Sequence, residues 1–124
     1  QAAAGQDALS GNRRPERWRA SSGERDVVRL DIPADALHER AFEIFVHLVV
    51  ANRAARTDAT HALRVLVDGA LEWQRSAPSH TDGGDSLELR LRRVVPAGRP
   101  LRLNATCELK GSQRVSLTIT ADEA

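Results

Sequence analysis

The 124-residue sequence has a single cysteine, Cys107, so no internal disulfide can staple the fold. Aromatic residues make up only 3% of it, and a core must be built from Leu, Val, Ile and Ala. No apolar run approaches the ~18 residues of a membrane-spanning helix, and no membrane span is expected. Lysine is nearly missing: of 18 basic residues, all but Lys110 are Arg. That bias fits a GC-rich genome, and Arg also suits bidentate anion contacts. The net charge of +1 is far from the basic balance of a nucleic-acid binder. Aromatic interleaving, on which single strands stack, is missing too, so no nucleic-acid partner is expected.

Signals for chemistry are equally sparse. His38, His47, His61 and His80 are scattered, with neither a helical pair nor a Cys at ligand spacing. No cofactor or metal is expected. No Ser sits in a nucleophile-elbow motif, and the chain is read as a non-enzyme. Asp82-Gly83-Gly84-Asp85, with Asp58 or Asp68, would offer hard oxygens to Ca²⁺. The EF-hand spacing is absent, however, and Asp and Gly serve any flexible loop.

What the sequence does have is alternation. Leu87, Leu89 and Leu91 are followed by Leu101, Leu103, Ala105, Cys107 and Leu109, then by Val115, Leu117, Ile119 and Ala121. Polar residues stand between them, and a period of two puts one set on a buried sheet face. Three adjacent antiparallel strands are expected here. Val95-Pro96-Ala97-Gly98 predicts a type I turn between the first two. Lys110-Gly111-Ser112 predicts a short loop between the last two, with Glu108 opposite Arg114.

Upstream, Val27, Val28, Leu30 and Ile32 form a strand stopped by Pro33. Ala41–Ala51 fits both a helical stripe and a strand; its β-branched and aromatic content favours a central strand. His61–Val67 alternates into Asp68-Gly69, a hairpin signal, and Leu71 and Trp73 continue beyond it. A plain two-residue loop would oppose Val65 to Glu72, so a longer loop or a bulge is expected. Pro78–Ser86 reads as a long loop. Residues 1–24, polar and charged apart from Leu9 and Trp18, read as a flexible leader. The opening Gln1-Ala2-Ala3-Ala4-Gly5 suggests a mature exported chain, periplasmic or secreted. About seven short strands within 25–124 predict an all-β, immunoglobulin-like two-sheet antiparallel β-sandwich.

Val46-His47-Leu48-Val49-Val50-Ala51-Asn52 and Leu63-Arg64-Val65-Leu66-Val67-Asp68-Gly69 carry a family likeness. Pro96-Ala97-Gly98 and the closing Val115–Ala121 strand share it. The stretch resembles immunoglobulin-like modules of bacterial envelope and surface proteins, of the cell-adhesion-related repeat type. It departs from them at Arg53, where those repeats have Gly. The resemblance implies the sandwich fold and a non-catalytic role, and it transfers no functional residue.

The candidate binding residues come from the pattern itself. Arg90, Arg92, Arg102 and Arg114 are expected to share one outward face, where forked donors would suit phosphate, sulfate or carboxylate. Glu88 and Glu108 on that face would neutralise part of it, and a solvated face of cross-strand salt bridges is the simpler expectation. Trp73 is either a sugar platform or core packing. The expected function is a scaffold or interaction module binding another protein; the alternative is a carbohydrate or anionic-glycan binding module.

Overall fold

A computed structural model describes residues 13–124. They form eight strands: β1 (Arg17–Ser21), β2 (Val27–Ile32), β3 (Arg40–Ala51), β4 (Thr60–Val67), β5 (Ala70–Pro78), β6 (Gly84–Val95), β7 (Leu101–Lys110) and β8 (Gln113–Glu123). The antiparallel pairs are nested: β4 with β5, β3 with β6, β2 with β7 and β1 with β8. The chain is thus one long hairpin with its tip at Asp68-Gly69, rolled until β3 also meets β8 and β4 also meets β7. Rolling gives two four-stranded sheets, β1-β8-β3-β6 and β2-β7-β4-β5, called below the β3 sheet and the β4 sheet. The expected two-sheet antiparallel sandwich is formed. It has eight strands rather than about seven, connected in the nested order of a jelly roll.

Both inner faces are built from the alternating residues. Phe42, Ile44, Val46, Leu48 and Val50 of β3 face Leu63 and Val65 of β4 and Leu101, Leu103 and Ala105 of β7, all almost fully buried. Ala41–Ala51 is the central strand expected, because its β-branched and aromatic residues fit a sheet buried on one side and half-covered on the other. The tip is a two-residue loop with positive φ at both Asp68 and Gly69 (51° and 85°), the type I′ geometry that matches strand twist. A register shift after Val65 leaves Glu72 without an opposite residue and sets Trp73 against Val65. This is the bulge expected from the clash of faces.

Several expectations are corrected. The three C-terminal strands are not neighbours, since β6 and β8 lie in the β3 sheet and β7 lies in the β4 sheet. Alternation marks which side of a strand is buried, and two strands facing each other across a core alternate as two strands side by side do. Glu108 therefore lies opposite Ala62, not Arg114. Residues 96–99 form an arch between sheets. Arg99 N–H donates to Pro96 O (3.2 Å) with Gly98 at φ 81°, so Gly occupies the third turn position, as in type II rather than type I. Val115, expected inward, is 54% exposed, because the β3–β8 register shifts between Val49 and Val50 and pushes it out. Pro78 and Gly84–Ser86 belong to strands, which shortens the loop expected there.

The leader expectation also changes. Its residues 1–12 lie outside the described residues, but Arg17–Ser21 is strand β1, paired with Thr118–Asp122 of β8. A buried charge explains the attachment. Arg40 occupies an inward position at the start of β3 and is only 2% exposed. Its guanidinium donates to Glu16 Oε1 (2.8 Å) and Pro33 O (2.9 Å), and lies 5.4 Å from the Phe42 ring centre. Trp18 Nε1 donates to the same Glu16 oxygen at 2.9 Å, and Glu16 N–H donates to Glu123 Oε1 at 3.0 Å. Arg13 adds an ion pair to Glu123. The segment before β1 supplies the counter-ion for a charge that the core would otherwise hold alone.

Glu16→Ala is therefore expected to cost about 2 kcal/mol, less than a fully buried pair because Glu16 keeps some water contact. Urea unfolding monitored by circular dichroism checks this. The second change Arg40→Met is expected to recover most of the loss, since it removes the orphaned charge.

Candidate functional site

The residues singled out for anion binding are dispersed. Arg90 and Arg92 stand on the outer face of the β3 sheet, on β6. Arg102 stands on β7, on the far side of the molecule. Arg114 lies on β8, but its guanidinium reaches past the sheet edge to Asp26 and to the carbonyls of Gly23 and Arg25. Three of the four are engaged with carboxylates: Arg92 with Glu43 (3.3 Å), Arg102 with Asp31 (3.0 Å), and Arg114 with Asp26. Such exposed pairs contribute little stability, but they leave no convergent anion site. Trp73 is half-buried on the inner side of β5, packed against the core edge.

What the fold does bring together on the β3 sheet was not visible as a sequence cluster. Outward positions line up in rows across β1, β8, β3 and β6: Arg17, Asp122, Glu43 and Arg92; then Arg19, Thr120, Phe45 and Arg90; then Ser21, Thr118, His47 and Glu88. Phe45 sits near the middle of this wet face. The Arg90 guanidinium covers its ring at 4.2 Å, and the His47 ring stacks on it at 5.3 Å. Cation–π and ring stacking explain how one Phe is tolerated on a solvated sheet. The only sequence signal was an aromatic residue out of phase with Phe42, Ile44 and Val46.

The outer face of the β4 sheet holds a groove of about 420 Å³. Ala62 forms its floor; Arg64, Gln74, Ser76, Thr106 and Glu108 stand around it. Arg64 and Glu108 are diagonal neighbours, facing Thr106 and Ala62 across the β4–β7 ladder. A short side chain ringed by long polar ones makes a shallow polar dish rather than a deep apolar pocket.

A polar cluster closes one end of the sandwich. His61 Nδ1 and Ser79 Oγ are 2.8 Å apart, and both residues are buried. Asn52 Nδ2 donates to Arg56 O (2.8 Å) and His80 O (3.0 Å), and His80 N–H donates to Asp85. The Ser–His contact pins the loop after β5 onto β4. Burial pushes the His61 imidazole below its ordinary pKa, with Asp85 opposing that shift. Of the loop carboxylates weighed for Ca²⁺, Asp85 is engaged with His80 and Asp58 with Arg56, while Asp68 lies at the opposite end, accepting from Arg102 N–H. Cys107 faces the core, and burial pushes its thiol up to about 11.

Fold and surfaces together define, over the described residues, an eight-stranded, two-sheet β-sandwich whose outer sheet faces carry its accessible features. No family model matches the chain, and no curated protein sequence matches it. Among solved structures it is similar to a segment of dimeric latent PorU from Porphyromonas gingivalis. The TM-score is 0.53 at 14% identity, covering 79% of this chain and 10% of that one. The chain thus spans about a tenth of that protein's length, and at this identity the likeness is one of fold.

The His61 environment sets a pH dependence. Its folded pKa is depressed, so the folded state favours neutral imidazole. Its contribution is fully present above the ordinary imidazole value of about 6.5 and is lost as pH falls below it. Thermal melting is expected to drop as pH falls from 7 through the sixes and fives, and His61→Gln is expected to flatten that part of the profile. Carboxylates held low, such as Glu123 beside Arg13, add their loss only at more acid pH.

Proposed function

We propose that this chain is a non-catalytic interaction module of the bacterial cell envelope, and that it binds another protein through the outer face of the β3 sheet. The observation that carries the reading is the Phe45–His47–Arg90 stack at the centre of that face. Aromatic and arginine side chains dominate the binding energy of protein interfaces, above all when central and ringed by polar groups. Thr118, Thr120, Glu88 and Arg19 supply such a rim. Support for the envelope comes from the resemblance of β3 and β4 to immunoglobulin-like envelope modules. The two-sheet fold shared with part of a much larger bacterial protein agrees with a modular role.

A second reading rests on the β4-sheet groove. Its mixed guanidinium, amide, carboxylate and hydroxyl lining suits a polyhydroxylated ligand, so carbohydrate is the alternative partner class. The two readings use opposite sides of the molecule and separate cleanly. A protein captured from envelope extract by the wild-type chain is expected to bind Phe45→Ala and Arg90→Ala at least about tenfold more weakly. Arg64→Ala is expected to leave that binding unchanged. Saccharide binding lost in Arg64→Ala, with no effect of Phe45→Ala on any partner, would replace the protein reading with the glycan one.

A further inference from the structure

The two sides of the sandwich are finished differently. On one side β1 lies against β2, and Arg114 of β8 pairs with Asp26 in the connection between them. On the other, β5 and β6 stand apart, bridged by the ion pair of Arg93 with Glu72 (2.6 Å). The inner faces are therefore incompletely covered there: Leu89 and Leu91 of β6 and Trp73 of β5 pack on the core but stay only half-buried.

The two edges of that open side are unequal as templates. β5 is bulged at Glu72 and ends in Pro78, devices that discourage pairing with another strand. β6 carries neither. It runs 12 residues from Gly84 to Val95, proline-free, in unbroken register with β3, and its other edge has no partner strand among the described residues. A long regular edge beside half-covered leucines is a site for strand addition.

We infer that β6 pairs antiparallel with β6 of a second copy of this chain, in the register centred on Leu89. The choice of occupant comes from the strand's own charge pattern. Centred on Leu89, the register sets Glu88 opposite the second copy's Arg90, and Arg90 opposite its Glu88. Leu87 and Leu91 meet across the same axis, and the inward Arg93 meets Asp85 instead of an apolar residue. Neighbouring registers that keep inward residues opposite inward ones fail. Centring on Glu88 opposes Glu88 to itself, centring on Arg90 opposes Arg90 to itself, and centring on Leu91 opposes Arg90 to Arg92; centring on Leu87 forms no charge pair, leaving Glu88 and Arg90 opposite Ser86 and Gly84 and the inward Asp85 opposite Leu89. Opposite charges directly across a ladder stabilise and like charges destabilise, so one register is selected. Two-fold pairing of this kind is isologous and closes after two chains. It fuses the two β3 sheets into one eight-stranded sheet, with both Phe45 stacks on its outer face.

Charge reversal tests the register. By sedimentation velocity, the full chain is expected to show a concentration-dependent monomer–dimer equilibrium. Glu88→Arg and Arg90→Glu are each expected to weaken the dimer at least about tenfold, since each change puts like charges opposite at two symmetric places. The double reversal Glu88→Arg/Arg90→Glu restores opposite charges and is expected to return the affinity to within about threefold. In a Cys107→Ala background, Leu89→Cys is expected to form a symmetric disulfide more readily than Leu91→Cys, because directly opposed Cα atoms lie within disulfide range. A monomer at every concentration up to about 1 mM overturns the proposal, that limit marking a free energy too weak for a built interface. So does a dimer insensitive to both single reversals, a double reversal without rescue, or preferential cross-linking at Leu91→Cys.

Discussion

β3 is the strand on which everything else depends. It pairs with β6 along its whole length and with β8 along nearly all of it, and it sends Phe42, Ile44, Val46, Leu48 and Val50 into the core. A strand flanked on both sides cannot slip by one residue without turning five core side chains to water and breaking two ladders. Its outward residues are fixed by the same constraint. Phe45 and His47 stand where Arg90 can cover them only because the β3–β6 register places position 45 opposite position 90. Core and candidate site are two faces of one register.

That coupling explains why the fold was easier to read than the site. Alternation located β3, β4, β6, β7 and β8, and the Asp68-Gly69 signal located the tip of the rolled hairpin together with its bulge. Alternation carries no information about which sheet a strand joins. Arg90, Arg92, Arg102 and Arg114 look alike along the chain, yet they end on two opposite faces and a sheet edge. Phe45 and Arg90, far apart in sequence, meet because of a pairing that no local pattern records. Val115 was hidden for a similar reason, since a bulge is settled by the partner strand as well as by its own residues. The attachment of β1 depended on a buried Arg40 needing Glu16, and Arg40 looked like any charged residue in a connection.

The surface chemistry is a balance of charges held locally. Exposed Arg side chains repeatedly meet carboxylates on the same or an adjacent strand, such as Arg29 with Asp31, Arg17 with Asp122 and Arg92 with Glu43. Each pair adds little energy, but together they divide the Arg-rich surface into small neutral plots instead of one basic field. Against that background the Phe45 stack and the polar dish at Ala62 stand out, as places where side chains are arranged around a ring or a hollow rather than around an opposite charge.

Nesting also orders the chain in time. The innermost pair, β4 with β5, joins residues next to one another, while the outermost joins Arg17 to Asp122, almost the full described length. Contacts so distant cannot form until the intervening loop has been closed, which makes folding of such topologies slow. During synthesis β1 emerges well before β8 and must wait for it. Until then Arg40 has no anchored counter-ion and the edge of β3 that β8 will cover lies bare. The sandwich is therefore closed only when β8 arrives, and a ribosome that stalls before that strand releases a sandwich with its β3 sheet still open.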